Sequence, residues 1–160
     1  MGIESVKVHF KKWGREGDVM EFETSSATVE QAADTLGVIP ARIAKTLSFR
    51  GENEKAILIV AAGDAKIDNK KFRHTFGCKA RMLPPDEVLE QTGHVIGGVC
   101  PFGLKSGLDV YLDVSMKRFE TVFPACGSTN SAIELAIDEL FEYSFAKEWV
   151  DVCKDWEEAV

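Results

Sequence analysis

Two strand-like runs, Ala44 to Phe49 and Lys55 to Ala62, are separated only by the link Arg50 to Glu54, which contains Gly51. A link that short cannot carry a parallel crossover, which needs a dozen or more residues. The runs are therefore expected to pair as an antiparallel hairpin. The longest uninterrupted apolar stretch, Ala56 to Ala62, lies inside the second run and ends at Gly63. It is far shorter than the roughly 18 residues that a membrane-spanning helix requires, so no membrane partner is expected.

Helical and strand patterns alternate around this hairpin. Val6, Phe10 and Trp13 recur at i, i+4 and i+7, predicting an opening helix that Gly14 can end. Val19 to Phe22 reads as a short strand. Thr28 and Gln31 form a capping-box pattern before the apolar face Val29, Ala32, Ala33 and Leu36, with Gly37 at the C-terminal cap. Pro40 opens a brief turn to Ile43. Asp68 caps a basic helix to about Thr75, Ala80 to Leu83 reads as a brief strand, and Pro84-Pro85-Asp86 opens a helix to about Gln91. Strands are expected at Asp109 to Val114, Thr121 to Phe123 and Ala132 to Ala136. A helix near Asp138 to Tyr143 and a last segment, Glu148 to Cys153, close the chain. Several of these links are too short for crossovers, which favours an α+β fold: one domain over residues 1–160, with a mixed, largely antiparallel sheet and helices packed around it. A chain of this size buries roughly 70% of its unfolded surface without disulfides or metals.

Met1 to Lys12 lacks an uninterrupted apolar core, so no secretion signal is expected. Cys78, Cys100, Cys126 and Cys153 are scattered, with no C-x-x-C pair, and read as free thiols in a reducing, cytoplasmic setting. The net charge of −7 argues against sequence-blind nucleic-acid binding by the whole surface. Charge is uneven, however. Lys66, Lys70, Lys71, Arg73, Lys79 and Arg81 stand against Asp68 alone, while acid gathers in the tail from Glu134 to Glu158. That asymmetry permits one phosphate-facing patch, with Lys66, Lys70, Lys71 and Arg73 as candidate contacts; a solvated helix face is the other reading.

Three features carry candidate chemistry. The loop Gly97-Gly98-Val99-Cys100-Pro101-Phe102-Gly103 suits a rigid turn whose bare N–H groups face a ligand, or a plain turn. Lys45 enters a strand on the same alternating face as Leu47 and Phe49, where a lone ammonium is costly unless it has a partner or snorkels. Cys126-Gly127-Ser128-Thr129-Asn130 is a small polar turn that could wall a pocket. His9, His74 and His94 lack metal-ligand spacing; His9 reads as a helix-surface residue, and a Cys100–His94 pair is a remote nucleophile candidate. Neither a P-loop nor a dinucleotide fingerprint is present.

Taken in order, Ala44-Lys45-Thr46-Leu47, Ile57 to Ala62 with Gly63-Asp64, the Gly97 to Gly103 loop, Gly127-Ser128 and Ile133-Glu134-Leu135 resemble the YbaK-like domains. That superfamily includes the editing domain inserted in bacterial prolyl-tRNA synthetases. The resemblance runs from about Thr24 to Cys153 and implies a curled sheet of the editing-domain type. It implies hydrolysis of the ester joining a wrong amino acid to the 3′ end of a tRNA, of prolyl or related type, with no metal or other cofactor. Lys45 corresponds to the family's strand lysine, which holds and polarises the terminal adenosine end, and Gly97 to Pro101 to its G-x-x-x-P loop. Gly98 is expected as an oxyanion donor. Thr46, Gly97, Val99, Cys100, Pro101, Phe102 and Gly103 would border the substrate, with Gly127, Ser128 and Asn130 on the far wall. The attacking water would be activated largely by substrate groups. Ala132 stands where some members carry an acid. The partners the resemblance implies are mischarged tRNA and an aminoacyl-tRNA synthetase, with the chain a monomer or a homodimer. A pocket that binds an aminoacyl-adenosine end without turning it over is the alternative, since no conventional base or nucleophile stands near the loop.

Overall fold

The computed structural model describes residues 2–52, 55–105 and 107–156; Asn53 and Glu54 of the predicted link and Glu157 and Glu158 of the acidic tail lie outside them. Helix α1 (Ile3–Lys11) buries Val6 and Phe10 completely, as their spacing predicts. Strand β1 (Met20–Glu21) leads to α2 (Val29–Leu36), where Thr28 and Gln31 make the reciprocal capping box and Gly37 ends the helix at φ 70°. A 3-10 turn at Pro40–Arg42 feeds β2 (Ile43–Arg50), which pairs antiparallel with β3 (Ala56–Ala62) from Ala44–Ala62 to Arg50–Ala56. The hairpin therefore forms as expected.

Next come β4 (Lys66–Ile67), α3 (Asn69–Phe76), capped by the Asp68 carboxylate, and α4 (Pro85–Thr92). They are followed by β5 (Asp109–Asp113), a 3-10 turn at Val114–Arg118, β6 (Thr121–Pro124), β7 (Ser131–Ala132) and β8 (Leu135–Ala136). Helix α5 (Ile137–Tyr143), β9 (Glu148–Val150) and β10 (Cys153–Lys154) complete the chain.

Two expected strands are reshaped, and the last segment divides. Ala80 to Leu83 contributes a single bridge, Met82 to Phe49. The expected strand Ala132 to Ala136 changes partner midway, β7 pairing with β1 and β8 with β6. Glu148 to Cys153 breaks where the Val152 N–H turns to the Asp113 carboxylate, 2.9 Å away.

The main sheet runs β8-β6-β2-β3-β5-β9 and is curled. Within it β2/β3 and β6/β8 are antiparallel, while β2/β6, β3/β5 and β5/β9 are parallel between strands far apart in sequence. The sheet is therefore mixed: its central pair, β2/β3, is antiparallel and is flanked on each side by parallel pairing, while the two-stranded ribbons β1/β7 and β4/β10 add further antiparallel pairs. All seven residues of β3 are buried, as befits a central strand covered on both faces. Phe10 of α1, Phe72 of α3, Val88 of α4 and Leu140 of α5 pack into the same core.

Candidate active site

Strand β2 is paired with β3 along one whole edge but along the other edge only near its ends. Phe123 and Pro124 of β6 lie beside Ile43 and Ala44. Met82 meets Phe49, and the Leu83 N–H donates to the Ser48 carbonyl at 3.1 Å. Among the described residues no strand borders Lys45, Thr46 and Leu47 on that side, and all three are half-buried. A cavity of about 250 Å³ opens at this gap. Its walls come from Thr28 and Val29 at the start of α2, from Gly97 and Val99, and from Ala125, Ser131 and Ala132.

Lys45 lines this cavity, and its Nζ donates to the carbonyls of Gly63 (3.4 Å) and Ala65. It is therefore neither a snorkelling edge residue nor an unsatisfied one. Burial pushes its pKa below the ordinary 10.5, against an upward pull from groups that include Asp64. Lys45 is the only charged residue among the described lining residues, which include no Asp, Glu, His or Cys. Thr46 lines the cavity too, and its Oγ1 is buried with no hydrogen-bond partner among the described residues. Such an orphan is expensive unless a ligand completes it.

The glycine loop divides in two. Gly97 and Val99 border the cavity, and neither N–H has an acceptor among the described residues. Gly98, the expected oxyanion donor, is already engaged: its N–H donates to the Val95 carbonyl and its carbonyl accepts from the Gly127 N–H, both at 3.0 Å. A Cβ at Gly98 would lie 2.7 Å from the Ser128 nitrogen, so the glycine serves backbone-to-backbone contact. Cys100, Pro101 and Phe102 are buried away from the cavity lining. Phe102 packs on Phe10 with ring centroids 4.7 Å apart, and the Gly103 N–H donates to His9 Nδ1 at 3.1 Å.

Cys100 and His94 do meet, Sγ to Nε2 at 3.6 Å. His94 Nε2 lies 2.7 Å from the Phe102 carbonyl, and burial pushes the Cys100 thiol up to about 12. A fully buried thiol outside the cavity is a core residue, not a nucleophile. His9, expected on the helix surface, is buried, with Nε2 2.6 Å from the Tyr143 carbonyl.

The far wall also shifts by a few residues. Gly127, Ser128 and Asn130 are absent from the cavity lining, which Ser131 and Ala132 supply instead. The Ser128 hydroxyl is 2.7 Å from Ser131 Oγ, and Asn130 Nδ2 donates to the Phe22 carbonyl at 2.8 Å, so this turn braces the wall from behind. In the basic segment, Lys66, Lys70 and Arg73 are exposed, and Lys66 is close enough to lower the Lys45 pKa. Lys71 is committed internally, to Asp151 and the Cys153 carbonyl, both at 3.0 Å.

Sequence reasoning missed the α2 contribution, Ser26 to Val29 with Ala32, and the Met82, Leu83 and Val88 wall. The Thr28 capping box marks where α2 starts; nothing in the sequence says what that end faces.

The chain matches the aminoacyl-tRNA editing domain family over residues 23–143. It is 73% identical over 157 residues to "Uncharacterized protein YwhH" of Bacillus subtilis, covering 98% of this chain and 100% of that one. It is 29% identical over 137 residues to "Putative Cys-tRNA(Pro)/Cys-tRNA(Cys) deacylase EbsC" of Enterococcus faecalis, covering 84% and 79% of the two chains. A proline–tRNA ligase of Thermotoga maritima shares 31% identity over 78 residues, 48% of this chain and 13% of that protein. A crystal structure described as "a putative trans-editing enzyme for prolyl tRNA synthetase" superposes with a TM-score of 0.86 at 29% identity, covering 95% and 96% of the chains. With the family pattern spanning the hairpin, the glycine loop and the cavity between them, this chain belongs to the aminoacyl-tRNA editing domain family.

Proposed function

We propose that this chain is a free-standing deacylase that hydrolyses the ester of mischarged aminoacyl-tRNA, errors on prolyl-type tRNA among its substrates. The observation that carries the reading is the joining of Lys45, the orphaned Thr46 hydroxyl and the unpaired β2 edge in one cavity of a domain of this family. The aminoacyl-adenosine end enters that gap. Water attacks the ester carbonyl carbon, and the electron pair passes to the carbonyl oxygen. Lys45 and the N–H groups of Gly97 and Val99 stabilise that oxyanion, a donor of this kind contributing about 2.7–4 kcal/mol. On collapse the bond to the ribose oxygen breaks, and that oxygen takes a proton.

Among the described residues the lining offers no carboxylate, imidazole or thiol to act as base, so the water gives up its proton to the substrate's own groups. One methylene yields a synthetase only about 1–3 kcal/mol of discrimination, which is why a second hydrolytic sieve is needed. Exposed Lys66, Lys70 and Arg73 offer the phosphates of the acceptor end a landing surface. The work is cytoplasmic and needs no metal.

A panel of mischarged tRNAs, prolyl-, alanyl- and threonyl-acceptors included, tests this reading. The parent releases amino acid from at least one, EDTA leaves the rate unchanged, and Lys45→Ala loses most of it. Parental rates from Lys45→Ala remove the lysine role. Saturable binding with no release from any tRNA replaces the enzyme with a binding module, which the missing side-chain base also favours.

A further inference from the structure

Among the described residues Lys45 Nζ donates to carbonyls alone, although Asp64 stands in the chain between the two residues that supply them. The Asp64 carboxylate is held elsewhere. Its Oδ1 and Oδ2 accept from Nη2 and Nη1 of Arg118 at 2.6 and 2.9 Å, a bidentate pair. Arg118 is itself fixed. Its Nε donates to the Ser115 carbonyl at 2.7 Å, and its guanidinium lies 4.9 Å from the Phe119 ring centre and 5.0 Å from that of Trp156. Only 9% of its side chain is exposed. The same 3-10 turn grips the end of β3, where the Ala62 N–H donates to Ser115 Oγ at 3.1 Å. Gly63 is pressed against Pro40, whose carbonyl oxygen would lie 2.1 Å from an added Cβ. The 63–65 turn is thus clamped on both sides, with its carbonyls on Lys45 and its one carboxylate turned to Arg118.

We propose that Arg118 and Asp64 are positioning residues for Lys45: their pair aims the Gly63 and Ala65 carbonyls at Nζ and withholds the Asp64 carboxylate from it. An ammonium held by neutral carbonyls can turn to a ligand in the cavity. One locked to a carboxylate pays for leaving it. Asp64 is near enough to act on Lys45 electrostatically, and loss of the Arg118 fork frees it to do so directly.

The activity arm of the test rests on the deacylase reading; the titration arm does not. Lysine labelled with ¹³C at Cε is followed by NMR across pH, the Lys45 signal being assigned by its loss in Lys45→Met. In Arg118→Gln the Lys45 midpoint is expected to rise by about one pH unit. Deacylation kcat falls about tenfold, with KM moved less. Adding Asp64→Asn removes the misplaced carboxylate, so the double variant returns to the parental midpoint or below and recovers most of kcat. If Arg118→Gln does not fold by circular dichroism, Arg118→Lys, which keeps the charge but not the fork, carries the same titration with a smaller rise. An unmoved Lys45 midpoint, or a double variant as slow as the single, overturns the proposal. A parent that deacylates nothing refutes the proposed function alone, and the titration still decides the clamp.

Discussion

Replacing Thr46 by valine should raise stability and lower activity. Thr46 Oγ1 is sealed from solvent and has no hydrogen-bond partner among the described residues. Stranding a buried hydroxyl costs roughly 1–3 kcal/mol. Valine keeps the β-branched shape that suits a strand and exchanges only that oxygen for a methyl. Thr46 as a residue is only half-buried, so the low end applies and the variant should gain about 1 kcal/mol. For a chain of this size that raises Tm by about 2–4 °C.

The cost falls on the ligand. If a substrate group completes Thr46 Oγ1, valine forfeits one hydrogen bond, about 0.5–1.5 kcal/mol, which is roughly two- to tenfold in kcat/KM. Calorimetry and urea unfolding read the first effect, and single-turnover deacylation reads the second. A Thr46→Val protein that melts below the parent refutes the orphaned hydroxyl. One that melts higher but deacylates at the parental rate refutes its role in binding.

Gly98→Ala should destabilise by about 1–3 kcal/mol in urea unfolding, because its Cβ would stand 2.7 Å from the Ser128 nitrogen and 2.8 Å from the Gly127 carbonyl carbon, neither free to move; unchanged stability would mean the two segments are not in contact. Cys100→Ala should cost about 1 kcal/mol of packing and leave kcat/KM within about twofold of the parent, and a larger kinetic loss would return Cys100 to the chemistry. Burial lowers the pKa of both His9 and His94 from the ordinary 6.5. Above 6.5 neither the folded nor the unfolded state holds the proton; as pH falls through 6.5 the unfolded chain takes up protons that the folded state refuses, so stability drops. Urea midpoints at pH 7.5 and 5 should show that drop, and replacing both histidines with glutamine should flatten it. An equally steep loss in that double variant would assign the acid sensitivity to other groups.

The hairpin and α2 are legible in the sequence because each is fixed by local rules: a link too short for a crossover, and a capping box closed by a left-handed glycine. Lys45 is legible as an anomaly, an ammonium in an apolar strand. Its partners are not, since the Gly63 and Ala65 carbonyls are set in place by Arg118 from more than fifty residues away. The glycine loop shows the opposite limit. Its composition announces close backbone approach, but Gly98 meets the Gly127–Ser128 backbone where a ligand was expected. Glycine reads the same in both cases. His9 could have been placed better, because a residue three positions after Val6 and next to Phe10 lies on the buried face. Of the Ser131–Ala132 wall only Ala132 was legible, through the family resemblance; Ser131 was not, because β7 and β8 divide what looks like one strand.

The cavity comes from an interruption in the sheet and from the small side chains around it. An edge left unpaired in a protein interior is normally filled by larger neighbours, since backbone groups without partners are costly when buried. Here the lining includes Ala27, Ala32, Ala44, Ala125 and Ala132, whose side chains end at Cβ and leave space between the larger Val29, Ile43, Leu83 and Phe123. The interruption is held at both ends: Phe123 and Pro124 meet Ile43 and Ala44, and Met82 meets Phe49, so the gap can neither zip closed nor spread. What remains between is one turn of pleat with Lys45 and Thr46 on it. A pocket made this way presents main-chain groups at fixed spacing and, among the described lining residues, one cation, the two things the proposed ester substrate requires.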